Sequence, residues 1–125
     1  MDCIFCKIVK KEIPTSVVYE DEKILMFNDL NPETPVHFLV IPKEHITSAN
    51  EIGKNNSEVI SHIFEKIAEV SKNIKGLQDG YRIVNNCGEN AGQTVKHLHF
   101  HVLGGRKLSW PPGWFFIVNA ISVQA

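Results

Sequence analysis

His97-Leu98-His99-Phe100-His101-Val102-Leu103 alternates imidazole with apolar side chains, a period of two that an extended strand satisfies and a helix does not. In a strand the three imidazoles line one face while Leu98, Phe100 and Val102 pack on the other. The fold must therefore contain a sheet with one apolar face to be covered and a row of histidines on the opposite face. A cover is present in the sequence. Val59, Ile60, Ile63, Phe64, Ile67, Ala68, Val70 and Ile74 recur at helical spacing between Ser57 and Lys75, with Asn55 and Glu58 as a capping pair and Gly76 as a stop.

The remaining strands follow from shorter patterns. Val17-Val18-Tyr19 and Ile24-Leu25-Met26-Phe27 read as a hairpin around Glu20-Asp21-Glu22-Lys23, and His37-Phe38-Leu39-Val40-Ile41 as a central strand stopped by Pro42. Tyr81 to Asn85 and Lys96 to Leu103 give two more, separated by a polar, glycine-containing stretch from Asn86 to Thr94. Ile4, Ile8 and Val9 suggest a short helix before Pro14. The expected class is α+β: a five-stranded antiparallel sheet, one long helix and a short N-terminal helix.

With 125 residues, 43% of them hydrophobic, the chain suits one compact domain that needs no disulfide staples. The formal net charge of -1 comes from mixed charges, so the basic footprint of a nucleic-acid-binding surface is missing. No run reaches the roughly 18 apolar residues of a membrane span. The start, Met1-Asp2-Cys3-Ile4-Phe5-Cys6-Lys7, lacks the pattern of a signal peptide or mitochondrial presequence. Three cysteines, an odd number with two in a C-x-x-C pair, suit a reducing compartment, so the expected location is cytoplasmic.

Two chemistries suit three imidazoles on one strand face. A three-histidine zinc site is one, but residues four apart on a strand are separated by about 13 Å, too far for one ion to take all three easily. The other divides the roles: one neutral imidazole attacks phosphorus while its neighbours orient it and stabilise phosphate charge. The preceding loop suits phosphate handling, since Gly88 and Gly92 let backbone approach a ligand and Asn86, Gln93 and Thr94 supply neutral donors. No Walker-type lysine loop is present, so positioned donors would carry the transition-state charge.

His97 to Leu103 matches the His-φ-His-φ-His-φ-φ signature of the histidine triad family. Ile4-Phe5-Cys6-Lys7-Ile8, Glu12-Ile13-Pro14, His37 to Lys43, Gly92-Gln93-Thr94, Leu103-Gly104-Gly105-Arg106 and Trp110-Pro111-Pro112-Gly113 resemble its Hint-type branch in order and spacing. The resemblance implies a hydrolase that cleaves at the α-phosphorus of adenosine or related purine nucleotide phosphoramidates, through a nucleotidyl-histidine intermediate and with no cofactor in the chemistry. It makes His99 the nucleophile, has His101 contact the α-phosphate and help handle protons, has His37 support the triad from the neighbouring strand, and gives Thr94 the place of a hydroxyl donor near the leaving group. It further implies that Asp29 binds the ribose hydroxyls, that Phe5, Ile8, Phe27 and Leu30 form the base pocket, and that Asn86, Gly92 and Gln93 lie along the phosphate path.

Cys3 and Cys6 have zinc-ligand spacing but need two further ligands, for which His45 and His97 are candidates. Some bacterial members of the family resemble this chain in placing all four positions on a structural zinc, which would support His97 next to the nucleophile and take no part as Lewis acid. Cys87 has no partner suggested by spacing, and His62, on the charged side of the long helix, has no assigned role. Family members are typically homodimers joined through the long helix and a shared strand edge. Residues 1–113 are the expected histidine triad domain, and 114–125 an apolar extension beyond the usual family end. The alternatives to the enzyme are a nucleotide-binding regulatory module without catalysis and, from a sister branch, a dinucleoside polyphosphate hydrolase.

Overall fold

The computed structural model describes residues 2–112. Its elements are α1 (Ile4–Val9), β1 (Val17–Glu20), β2 (Ile24–Asn28), β3 (Val36–Pro42), α2 (Glu58–Ser71), β4 (Tyr81–Val84) and β5 (Phe100–Gly104), with single 3-10 turns at Ala49–Glu51 and Glu89–Ala91. The five strands form one antiparallel sheet in the order β1-β2-β3-β5-β4, as expected from the sequence. The extension at 114–125 lies outside the described residues. No helix among the described residues is long and apolar enough to cross a membrane.

Each face of the sheet has its own cover. Ile24, Met26, Phe38, Val40, Leu98, Phe100 and Val102 pack under Ile63 and Ile67 of α2, while Leu25, Phe27, Leu39 and Ile41 pack with Phe5 and Ile8 of α1. β2 and β3 are thus buried on both sides, which is why they read as continuous apolar runs with no alternation. The six-residue α1 is far too short to hold itself together by propensity, so it depends on this packing and on its Cys3 cap, whose sulfur accepts from the Cys6 N–H.

Three expected boundaries move. α2 ends at Ser71, not Lys75, because the chain tightens into three-residue turns (Asn73 N–H to Val70 O, Ile74 N–H to Ser71 O) and the Gln78 amide caps the carbonyls of Lys72 and Ile74. Ile74 still reaches the core from that turn, which is why it kept the helical period. The Asn55–Glu58 capping pair does not form: Asn56 closes the preceding turn instead, accepting from Gly53 N–H and donating to Glu51 O. The last strand begins at Phe100, not Lys96, because His97 to His99 leave the ladder; Leu98 N–H goes to Ile46 O and the Asn85 side chain takes His99 O. The alternation of faces survives this departure, with Leu98 and Phe100 under α2 and the rings of His97 and His99 against Phe5.

His62, without a role in the sequence reading, ties α2 to the first hairpin. Its Nε2 lies 2.7 Å from Asp21 Oδ2, which also accepts from Tyr19 OH, while Asp21 Oδ1 accepts from the amides of Lys23 and Ile24. Burial alone would raise the Asp21 carboxyl, but these hydrogen bonds outweigh it and hold the group well below the usual carboxylate range.

Candidate active site and an adjoining metal cluster

Because the strand only starts at Phe100, the histidine row divides into three environments. His97 is fully buried and His99 nearly so, while His101 is half-buried nearer the opening. His99 Nδ1 lies 2.7 Å from His97 O, and since a carbonyl only accepts, Nδ1 carries the proton. That leaves the Nε2 lone pair of His99 as its nucleophilic position. The Phe5 ring stands edge-on to the His99 ring at 5.2 Å, and Asn85 Nδ2 holds the His99 backbone carbonyl at 2.8 Å.

A second chain of hydrogen bonds sets the protons on His37 and His101. Glu33 N–H donates to His37 Nδ1 (3.1 Å), so the His37 proton sits on Nε2, which lies 2.9 Å from His101 Nδ1. His101 Nδ1 then accepts, and its own proton is placed on Nε2. Burial, then the neighbouring His99 and His37, push the His101 pKa down to about 4 against a smaller opposing pull from Asp29. Neutral His101 therefore stands beside His99 at a ring distance of 5.2 Å without adding a cation next to it.

At the inner end of the row, Cys3, Cys6, His45 and His97 bring their ligand atoms within 4.8 Å of one another. His97 Nε2 donates to Pro42 O (2.8 Å), which turns its Nδ1 lone pair towards Cys3 Sγ (3.3 Å) and His45 Nδ1 (3.1 Å); Cys6 Sγ lies 3.2 Å from His45 Nδ1. Two imidazole nitrogens and two sulfurs at these separations match the edges of a zinc tetrahedron, about 3.3 to 3.8 Å for Zn–N near 2.0 and Zn–S near 2.3 Å. Two ring nitrogens facing each other conflict unless one is protonated or both share a cation, so the donor set fits zinc. Asp29, His37 and His101 also gather, but their hydrogen bonds account for the grouping. Cys87 is a free thiol apart from both groups.

A cavity of about 350 Å³ opens on His99 and His101 and is lined by Phe5, Ile8, Phe27, Asp29, Leu30 and Thr94. Eight of the expected substrate contacts are thus brought together. Phe5, Ile8 and Phe27 serve both as core and as cavity wall, whereas Leu30 is 91% exposed and forms a rim. Asp29 is in part the turn carboxylate of its loop, accepting from Asn31 N–H at 2.8 Å, while its Oδ2 lies 3.4 Å from His37 Nε2.

Asn86, Gly92 and Gln93 do not line this cavity; Gly92 and Gln93 line an adjoining groove that meets it at Thr94. Asn86 opens onto a separate cavity with Arg82, Arg106 and Trp110. The Gln93 amide is consumed as a loop clamp, donating to Thr47 O and Val95 O and accepting from Gly88 N–H. Gly88 and Gly92 have φ of 88° and 83°, and a Cβ at either would meet nothing within 4 Å, so left-handed backbone and not close ligand approach is what requires glycine there. The sequence reading also missed Asn85, whose neighbour Asn86 drew the assignment, and Val95, Leu39 and Ile13 on the cavity wall.

Comparison with known proteins agrees with this arrangement. The family model described as the scavenger mRNA decapping enzyme C-terminal binding domain matches residues 2–109. The chain is 47% identical over 112 residues to a 14 kDa zinc-binding protein of Zea mays, covering 88% of this chain and 87% of that one. It is 46% identical over 112 residues to a HIT-like protein of Synechocystis, covering 90% and 97%. Among solved structures, a HIT family hydrolase from Legionella pneumophila aligns with a TM-score of 0.86 at 43% identity, over 90% of this chain and all of that one. A histidine triad protein from Clostridium difficile aligns at 0.84 and 50% identity, over 87% and 95%. With the three-histidine row, the five-stranded sheet and these relatives in agreement, the chain belongs to the histidine triad (HIT) family.

Proposed function

We propose that this protein is a nucleotide-binding hydrolase of the histidine triad type that cleaves purine nucleotide phosphoramidates at the α-phosphorus, with His99 as nucleophile. The observation that carries the reading is the orientation of His99: Nδ1–H is held by His97 O, so the lone pair of the neutral ring lies on Nε2, beside an aromatic-walled cavity. A neutral, oriented imidazole next to a slot for a flat ring is what nucleophilic attack on a nucleotide requires.

In this reading the base lies among Phe5, Ile8 and Phe27, and the ribose hydroxyls meet Asp29 Oδ2. His99 Nε2 attacks phosphorus, forming a P–N bond as the bond to the leaving amine breaks. His101 donates its Nε2–H as a hydrogen bond to the phosphate, the departing amine takes a proton from solvent water at the cavity mouth, and Thr94 gives a hydroxyl near the same group. Water then attacks phosphorus and gives up a proton to solvent, the P–N bond to His99 breaks with its electron pair returning to Nε2, and the nucleoside monophosphate leaves. Gly92 and Gln93 line the groove that meets this cavity at Thr94, beside the leaving group, whereas Asn86 faces a separate cavity.

Cys3, Cys6, His45 and His97 would hold a structural zinc, for which the 14 kDa zinc-binding protein of maize is a precedent in name. Zinc there would fix the end of the histidine row, and the chemistry itself needs no cofactor. Homodimerisation through α2 and the β4 edge and a cytoplasmic location belong to the same reading.

The test is steady-state release of AMP from an adenosine phosphoramidate. Turnover that vanishes in His99→Asn, while AMP still binds, supports the hydrolase. Tight AMP binding by a wild type that releases nothing would replace it with the regulatory binding module.

A further inference from the structure

Thr94 is the junction of three cavities. The cavity over His99 ends at Thr94 and Val95; a groove of about 510 Å³ continues from the same two residues past Ile4 to His45, Thr47, Lys96 and Asp2. Another of about 410 Å³ runs from Thr94 over Thr47, Ser48 and Lys96 to Gly88 and Glu89. Phe5, Ile8 and Phe27 wall the first cavity and line neither groove. In the hydrolase reading, a nucleotide seated with its base there and its phosphorus on His99 has its leaving group near Thr94, the residue from which both grooves open.

Lys96 is the one Lys or Arg lining either groove, and it lines both, together with the hydroxyls of Thr47 and Thr94. Asp2 and Glu89 each border only one. Among the described residues Lys96 takes part in no ion pair, whereas Lys11, Lys43 and Lys66 all do. Lys96 itself is exposed, next to the fully buried His97.

We propose that this groove is the leaving-group subsite and that Lys96 selects leaving amines that carry a carboxylate. The inference rests on the hydrolase reading above for the direction in which the substrate lies. A phosphoramidate of an amine bearing a carboxylate places that anion beyond Thr94 within the two grooves that Lys96 shares. An uncharged amine of the same length fills the same space without the ion pair.

The matched probes are the adenosine 5′-phosphoramidates of glycine and of glycinamide, assayed for kcat/KM with the wild type, Lys96→Gln and Lys96→Glu. For a solvent-exposed ion pair the expected preference of the wild type for the glycine adduct is about three- to fivefold. Lys96→Gln should abolish that preference and Lys96→Glu should invert it, with glycinamide-adduct turnover unchanged in both. The same ratio should appear as a ratio of dissociation constants in His99→Asn, where no chemistry intervenes. An unchanged ratio in the lysine variants, or loss of both substrates equally, overturns the subsite. If the wild type turns over neither adduct, the hydrolase reading fails, and the binding ratio in His99→Asn, with and without Lys96→Gln, still decides the subsite.

Discussion

Replacing His37 separates proton placement from packing. His37 is 5% exposed and both ring nitrogens are engaged, Nδ1 by Glu33 N–H and Nε2 by His101 Nδ1. In His37→Phe both partners lose their hydrogen bond. A buried group left unpaired costs about 1–3 kcal/mol, and half-exposed His101 is partly rescued by water, so the expected loss of stability is about 2 kcal/mol. That corresponds to a fall in Tm of roughly 8 °C for a domain of this size. The larger effect is on chemistry. Without the His37 N–H, the His101 proton is no longer confined to Nε2, and one positioned donor to the charge developing on the phosphate contributes about 10²-fold, so kcat should fall by about 10- to 100-fold with a smaller change in KM. His37 is also one cause of the depressed His101 pKa, so its removal raises that pKa above about 4. Protonation of His101 puts a cation beside His99, so the acid limb of the rate profile should move to higher pH. His37→Gln, which keeps an acceptor and a donor on one side chain, should restore part of kcat. If Phe and Gln variants share the same kcat and the same acid limb, and differ from wild type only in Tm, His37 is a packing residue and the relay is wrong.

Two further perturbations probe the supports. Purified protein should carry one zinc per chain by elemental analysis, and its removal, or Cys6→Ser, should lower Tm and expose α1 to hydrogen exchange before it changes the chemistry of molecules that remain folded; abolished turnover in a fully folded, zinc-free protein would contradict a structural metal. Asp21→Asn should cost stability at pH 7 and remove part of its acid dependence. The Asp21 carboxyl lies below its unfolded value of about 3.9, so its contribution is fully present above that pH and lost as pH falls through the folded pKa. The depressed His101 adds a loss beginning near pH 6.5, because the unfolded chain gains the proton first; urea titrations from pH 7 to pH 3 should show both slopes.

The alternation from His97 to Val102 and the apolar period of α2 carried most of the architecture, because both are consequences of burial that leave a periodic trace. Boundaries were less legible where side chains replace the backbone ladder. Asn85 substitutes for a strand partner at His99 O, and Gln78 caps the end of α2, yet neither has a periodic signal. The division of the histidine row could be argued from strand rise alone, which separates His97 from His101, but the proton on each ring depends on Pro42 O, His97 O and Glu33 N–H, three backbone atoms invisible to side-chain patterns. A polar loop residue can face a ligand or hold the loop, and residue type alone does not say which: Gln93 spends its amide on the loop while lining the groove beside Thr94, and Asn86 faces a separate cavity. His62 was passed over because its partner, Asp21, sits on a hairpin 41 residues away.

The central claim is covalent catalysis at His99, and intact-mass analysis of protein quenched in acid-free conditions during turnover of an adenosine phosphoramidate tests it most directly. The account predicts a species heavier by one adenylyl group, mapped to His99, that disappears in His99→Asn and decays with release of AMP at the turnover rate. Turnover by His99→Asn at the wild-type rate, or an adduct mapped to another residue, would contradict it.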